Sequence, residues 1–176
     1  RQLFVFSRWT RITRDKTYER MAGKIFEYLT ANFWDADYEG WYSKVTLDGK
    51  PLDPTKDLYA HAFVLFGLVH YAEYIKKNEA EPWIQKTITL LQERFSRPDG
   101  SYKEQMDRYF SDVTFNQRSQ NPHMHLLEAA LALSNRNESC QYNSLVASLL
   151  KLFDDKFLDR RKLIIHEHLD KNFYPD

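Results

Sequence analysis

A single cysteine, Cys140, in 176 residues excludes an internal disulfide framework and the paired-cysteine spacings of a zinc cluster. That scarcity suits a reducing compartment, and a cytoplasmic location is expected. Charge of neither sign is in excess: 25 Lys and Arg stand against 25 Asp and Glu. The balance points to no nucleic-acid partner and to no attachment at a membrane surface. No apolar run approaches the roughly 20 residues of a membrane span, and no signal-peptide pattern opens the chain. Five glycines and six prolines are few, as in a helical protein with limited loops. A Gly-rich phosphate loop, a nucleophile elbow and a zinc-protease signature are all missing.

Aromatic residues are abundant, at 15% of the chain. They serve a large core or a surface that stacks on sugar rings. The length suits one compact domain. The chain opens without Met and already inside an apolar pattern, "RQLFVFSRW". Residues 1–176 are therefore expected to be a single partial domain, truncated at both ends.

Helical periods dominate. Met21, Ile25, Tyr28 and Leu29 recur at helical spacing within Thr17–Phe33, with charged residues on the other faces. Asp48-Gly49 and Pro51 interrupt an alternating stretch and predict a small hairpin. From Asp57 the chain is apolar almost all round, the mark of a helix buried on both sides, with Asp53 or Thr55 as its expected cap. Pro82 is expected to open the next, amphipathic helix, and Pro122 another. The last long helix is expected from about Ser139 to Phe157, and the final segment as a strand followed by a loop. Buried helix starts thus fall at Arg1, Asp57 and Asn121, at intervals of roughly sixty residues, each followed by an amphipathic helix near Thr17, Pro82 and Ser139. The expected fold is all-α: three inner–outer helix pairs with small β-hairpins in the loops, an α/α toroid or an arc of one.

Polar residues on inner helices stand out. On a helical wheel Asn121, His125, Glu128 and Ala132 share one stripe, and His123 points nearly the opposite way. His125 and Glu128 can touch, and a carboxylate beside an imidazole fixes its tautomer. The stripe reads either as a site or as a satisfied polar network between helices. His123 reads as structural. Because His123 and His125 diverge, no metal site is expected. Tyr59 and His61 intrude on the next inner helix, either as core residues with satisfied polar atoms or as ligand contacts. Arg1 reads as a frayed end or as an arginine on an inner helix.

"RQLFVFS", "KDLYAHAFVLFGL" and "QNPHMHLLEAALAL", in this order, resemble the N-acylglucosamine 2-epimerase family, which includes mannose isomerases, sulfoquinovose isomerases and cellobiose 2-epimerases. "HEHLDKNFYP" is similar to a further family segment, with Phe173 where tryptophan is common. The resemblance runs through nearly the whole chain but spans only about the middle half of a family member. It implies an α/α six-hairpin toroid that interconverts sugars at C1 and C2 through an enediol(ate), without a cofactor. Carried over by motif, Arg1 binds the sugar oxygens and stabilises the enediolate, and His125 is an active-site histidine. Tyr59 and Asn121 contact sugar, and Glu128 and His61 complete the candidate substrate-binding set. The main proton-transfer histidines of the family fall beyond Asp176.

Aldose–ketose isomerisation of a mannose-type sugar is preferred to 2-epimerisation, with a homodimer possible for the full-length protein. The rivals are a toroidal glycoside hydrolase, for which Asp57 and Glu128 are the available inner-helix acids, and a non-catalytic sugar-binding module.

Overall fold

Helix α3 (Leu58–Tyr74) carries apolar residues on every face, and a helix of that kind is stable only when surrounded. The structure, a computed structural model describing residues 1–114, 116–136 and 142–175, surrounds it. It packs against α1 (Gln2–Thr13) on one side, α5 (Gln120–Arg136) on the other, and α4 (Lys77–Leu90) behind. Helices α1, α3 and α5 make an inner layer. Their amphipathic partners α2 (Lys16–Asn32), α4 and α6 (Asn143–Leu152) make an outer one, α2 against α1 and α6 against α5. The three inner–outer pairs expected from the periodicity are all present.

Local chemistry sets the helix ends. Asp15 caps α2 by accepting from the Thr17 N–H at 2.7 Å. Helix α3 is capped by Asp57 itself, through the Ala60 N–H at 2.8 Å, and not by Asp53 or Thr55. Asp53 instead accepts from the Thr55 N–H in the turn before, at 3.0 Å. Pro82 does not open α4, which starts a turn earlier at Lys77. So near the helix start, its missing N–H removes only one intrahelical bond. Pro122 does lie in the first turn of α5. The outer helices α4 and α6 each close in a π turn, Leu91–Phe95 and Phe153–Phe157, which drive Phe95 and Phe157 fully into the interior. Ser139, the expected start of the last helix, lies outside the described residues.

The strands are short antiparallel pairs. The expected hairpin is β1 (Lys44–Val45) with β2 (Pro51–Asp53). β3 (Lys56–Asp57) pairs with β4 (Gln105–Met106), and β5 (Gln117–Ser119) with β8 (His168–Asp170). β6 (Leu158–Asp159) pairs with β7 (Ile164–Ile165), so the segment after Phe157 holds three strands, β6, β7 and β8, instead of one. β3 and β5 run directly into α3 and α5. The loops are thereby stitched together at the N-terminal ends of the inner helices.

Candidate active site

Arg1, Tyr59, Asn121 and His125 lie at or near those inner-helix starts, with Glu128 half-way along α5, and Arg1, Tyr59, His125 and Glu128 touch through one chain of contacts. Arg1, the N-cap of α1, donates through its guanidinium to the Tyr59 hydroxyl at the start of α3. The same guanidinium sits over the Phe63 ring, 4.4 Å from its centroid. His125, one turn into α5, meets Tyr59 edge-on at 4.9 Å and Phe63 at 4.5 Å between ring centroids. Its Nδ1 lies 2.7 Å from a carboxylate oxygen of Glu128, the pairing expected from their spacing. With a proton on Nδ1 toward that carboxylate, Nε2 is the ring's free acceptor. Asn121 lies on the same face of α5 as His125 and shares the wall of a cavity with Tyr59.

Two adjoining cavities flank this cluster. One, of about 540 Å³, is lined by Arg1, Tyr59, Phe63, Asp57 and Gln105 among others. The second, about 250 Å³, shares Asp57, Tyr59 and Gln105 and adds Asn121, Glu167 and His168. Their walls mix aromatic rings with carboxylates, amides and hydroxyls, the chemistry that hydroxyl-rich ligands require.

His61 does not join them. It is fully buried: Nε2 accepts from the Trp41 N–H at 3.0 Å, and Nδ1 donates to the Asp57 carbonyl at 2.7 Å. Both nitrogens serve the backbone, so the expectation of a ligand contact is corrected to a structural role. His123 repeats the arrangement, with Nε2 accepting from the Tyr102 N–H at 2.9 Å and Nδ1 donating to the Ser119 carbonyl at 2.7 Å. Each ring also packs on the phenylalanine that closes its own outer helix, His61 on Phe95 and His123 on Phe157. These partners demand the neutral Nδ1–H tautomer. Burial lowers both pKa values, His61 to about 3 and His123 to about 4.

Each clasp is accompanied by a buried cation that the sequence reading passed over. Lys56 reaches Asp35 at 2.9 Å, and Arg118 reaches Asp99 at 2.9 Å. The signal was available: a Lys or Arg stands five residues before the histidine in "KDLYAH" and again in "RSQNPH". A repeated long-range clasp of this kind is a property of the fold; of the site candidates, Arg1, Tyr59 and Asn121 line the two cavities, and His125 packs against Tyr59 and Phe63 beside them.

Comparisons with known proteins identify the family and the fold. The family profile described as N-acylglucosamine 2-epimerase (GlcNAc 2-epimerase) matches residues 1–176. Cellobiose 2-epimerase of Dictyoglomus turgidum is 27% identical over 184 residues, covering 99% of this chain and 47% of that protein. D-mannose isomerase of Marinomonas mediterranea is 27% identical over 165 residues, covering 93% of this chain and 37% of that protein. The solved cellobiose 2-epimerase from Bacillus thermoamylovorans superposes with a TM-score of 0.92 at 25% identity, over 99% of this chain and 48% of its own. The chain spans about half the length of the curated relatives it matches, and its arc is the corresponding part of an α/α toroid.

Proposed function

The chain belongs to the N-acylglucosamine 2-epimerase family, and from that premise we propose that it forms one wall of a sugar isomerase or epimerase site. The reaction proposed is proton transfer between C1 and C2 of a mannose- or glucose-type sugar through an enediol(ate), with aldose–ketose isomerisation preferred. The observation that carries the reading is the contact chain Arg1–Tyr59–His125–Glu128 at the mouth of the inner helices.

Each side chain suits a part of that chemistry. Removing a proton next to a carbonyl needs a base that works near neutral pH, and histidine is that side chain. Glu128 orients the ring so that Nε2 is presented as the acceptor. Negative charge grows on the sugar oxygen as the proton leaves, and the Arg1 guanidinium is a fixed, permanently charged donor for it. The Tyr59 hydroxyl and the Asn121 amide would hold hydroxyl groups, and Phe63 offers an apolar face to a pyranose ring.

A second reading, 2-epimerisation, is favoured by the relatives named cellobiose 2-epimerase, which match over nearly all of this chain. The hydrolase reading lacks support: Asp57 is committed to capping α3 and Glu128 to His125.

Loss of the C2 proton of mannose in deuterated water, followed by NMR, tests the proposal. The natural polypeptide containing these residues is expected to exchange that proton, and His125→Ala to reduce the rate by about 10²-fold or more while leaving sugar binding in place. The 176-residue chain alone is expected to show no substantial exchange, since the resemblance assigns further proton-transfer histidines to residues outside it. Unchanged exchange in His125→Ala would remove this histidine from the mechanism.

A further inference from the structure

Glu104 touches both of the helix starts that carry the candidate site. Its backbone carbonyl accepts from the N–H of Leu58, the first residue of α3, at 2.8 Å. Its side chain, only 6% exposed, turns the other way. One carboxylate oxygen accepts from the Ser119 N–H, and the other from the Ser119 hydroxyl at 2.6 Å. Ser119 is the residue immediately before α5, and its own carbonyl is the acceptor for His123. Tyr59 follows Leu58 by one residue, and Asn121 follows Ser119 by two.

The sheet topology leaves this residue a distinctive role. β4 pairs with β3, and β5 pairs with β8, so the strands that lead into α3 and α5 belong to separate two-stranded pieces. Glu104 crosses that gap. The comparable place in the preceding repeat, two residues beyond the N–H bound by the histidine, holds Ser43, whose hydroxyl donates to the Thr55 carbonyl at 2.8 Å. A neutral hydroxyl is enough there. A buried carboxylate in its place is costly unless its acceptor capacity is used, and here both oxygens are used on one residue.

We propose that Glu104 is a positioning residue that sets the separation of the α3 and α5 starts, and with it the contact between Tyr59 and His125. The functional half of this inference rests on the sugar-site reading above. The structural half does not, because the Tyr59 and His125 rings lie 4.9 Å apart between centroids in the protein without substrate.

A nuclear Overhauser contact between Tyr59 and His125 ring protons is therefore the direct readout. It is expected in the wild type and in Glu104→Gln, whose amide can still accept from the Ser119 N–H and donate to its hydroxyl. It is expected to weaken several-fold in Glu104→Ala. It is expected to weaken likewise in Glu104→Asp, which keeps the charge but is one methylene too short; this variant serves if the alanine variant does not fold. Hexose turnover in the natural polypeptide is the second readout. There the alanine or aspartate variant is expected to lose about tenfold or more in kcat, with glutamine restoring most of it, because displacement of reacting groups by about 1 Å is enough for such a loss. An undiminished ring contact in a folded alanine or aspartate variant overturns the inference. Absence of turnover in the wild type would instead count against the sugar-site reading and leave the ring-contact comparison to decide the role of Glu104.

Discussion

Replacing Asp35 by alanine should be the most damaging single change outside the hydrophobic core. Asp35 and Lys56 both have fully buried side chains, and they meet at 2.9 Å. The Asp35 carboxylate also accepts from Arg108 through Nε at 2.8 Å and a terminal nitrogen at 2.9 Å, and from the N–H groups of Asp37 and Tyr38 at 3.2 and 3.3 Å. Asp35→Ala strands the Lys56 ammonium in an interior that offers it the faces of Tyr42 and Phe110 but, among the described residues, no other carboxylate at bonding distance. Breaking a buried pair from one side costs about 3–5 kcal/mol. In a chain of this size that lowers the melting temperature by about 6–20 °C. Adding Lys56→Met removes the stranded charge and should restore about half or more of the loss. Thermal and urea unfolding followed by far-UV circular dichroism measure all three variants. A cost below about 1 kcal/mol for Asp35→Ala, or a double variant no more stable than the single one, would refute the claim that this carboxylate compensates a buried cation. The pH dependence has a definite sign. Burial by itself would raise the Asp35 carboxyl, but Arg108 and Lys56 together hold it well below the usual carboxylate range. Its contribution is therefore complete above the unfolded value of about 3.9 and is lost as pH falls below that, so the alanine variant should show a flatter acid limb.

Acid should also open the two histidine clasps. His61 and His123 stay neutral in the fold down to about 3 and about 4, whereas the unfolded chain takes up protons from about 6.5 downward, so stability falls as pH drops through that interval. His123→Gln should make the melting temperature less pH-dependent between those limits, measured by calorimetry; an unchanged slope would contradict the assigned tautomer. Gly40 has φ +79°, and a Cβ there would stand 3.2 Å from His61 Nε2 and 3.3 Å from the Lys56 side chain. Gly40→Ala should cost at least about 1–2 kcal/mol from the backbone alone in urea unfolding, and a neutral result would mean the turn relaxes freely. Glu128→Gln should lower exchange at C2 of mannose by less than His125→Ala does, because it disturbs the orientation of the imidazole and leaves the ring in place; equal losses would make Glu128 a direct participant.

Much of the architecture could be read residue by residue. The stripe Asn121–His125–Glu128 and the opposite heading of His123 follow from helical angle alone, and the structure has His123 buried and His125 against Glu128. His61 was the error. Both histidines stand near the start of an inner helix, and the wheel cannot say which face a loop will cover. Lys56, Glu104 and Arg118 were missed for a related reason: each is an ordinary surface residue type, and for Lys56 and Arg118 only their repeated place five residues before a histidine sets them apart.

What the sequence determined by itself is the set of layers. An apolar period of 3.6 residues states which helix is surrounded and which is half-exposed, and it held for α3 and for the split face of α5; in α2 the buried residues are Ala22 and Phe26, whereas Met21 and Tyr28 of the expected stripe are exposed. The site was decided by tertiary structure. Its supports join residues far apart in the chain, Trp41 to His61 across 20 positions and Asp35 to Arg108 across 73. Such pairs arise only when separate loops fold onto the ends of neighbouring helices and exclude water from the polar groups they bring. Periodicity reports the faces of one element, whereas a buried hydrogen bond between loops depends on where every intervening element has packed.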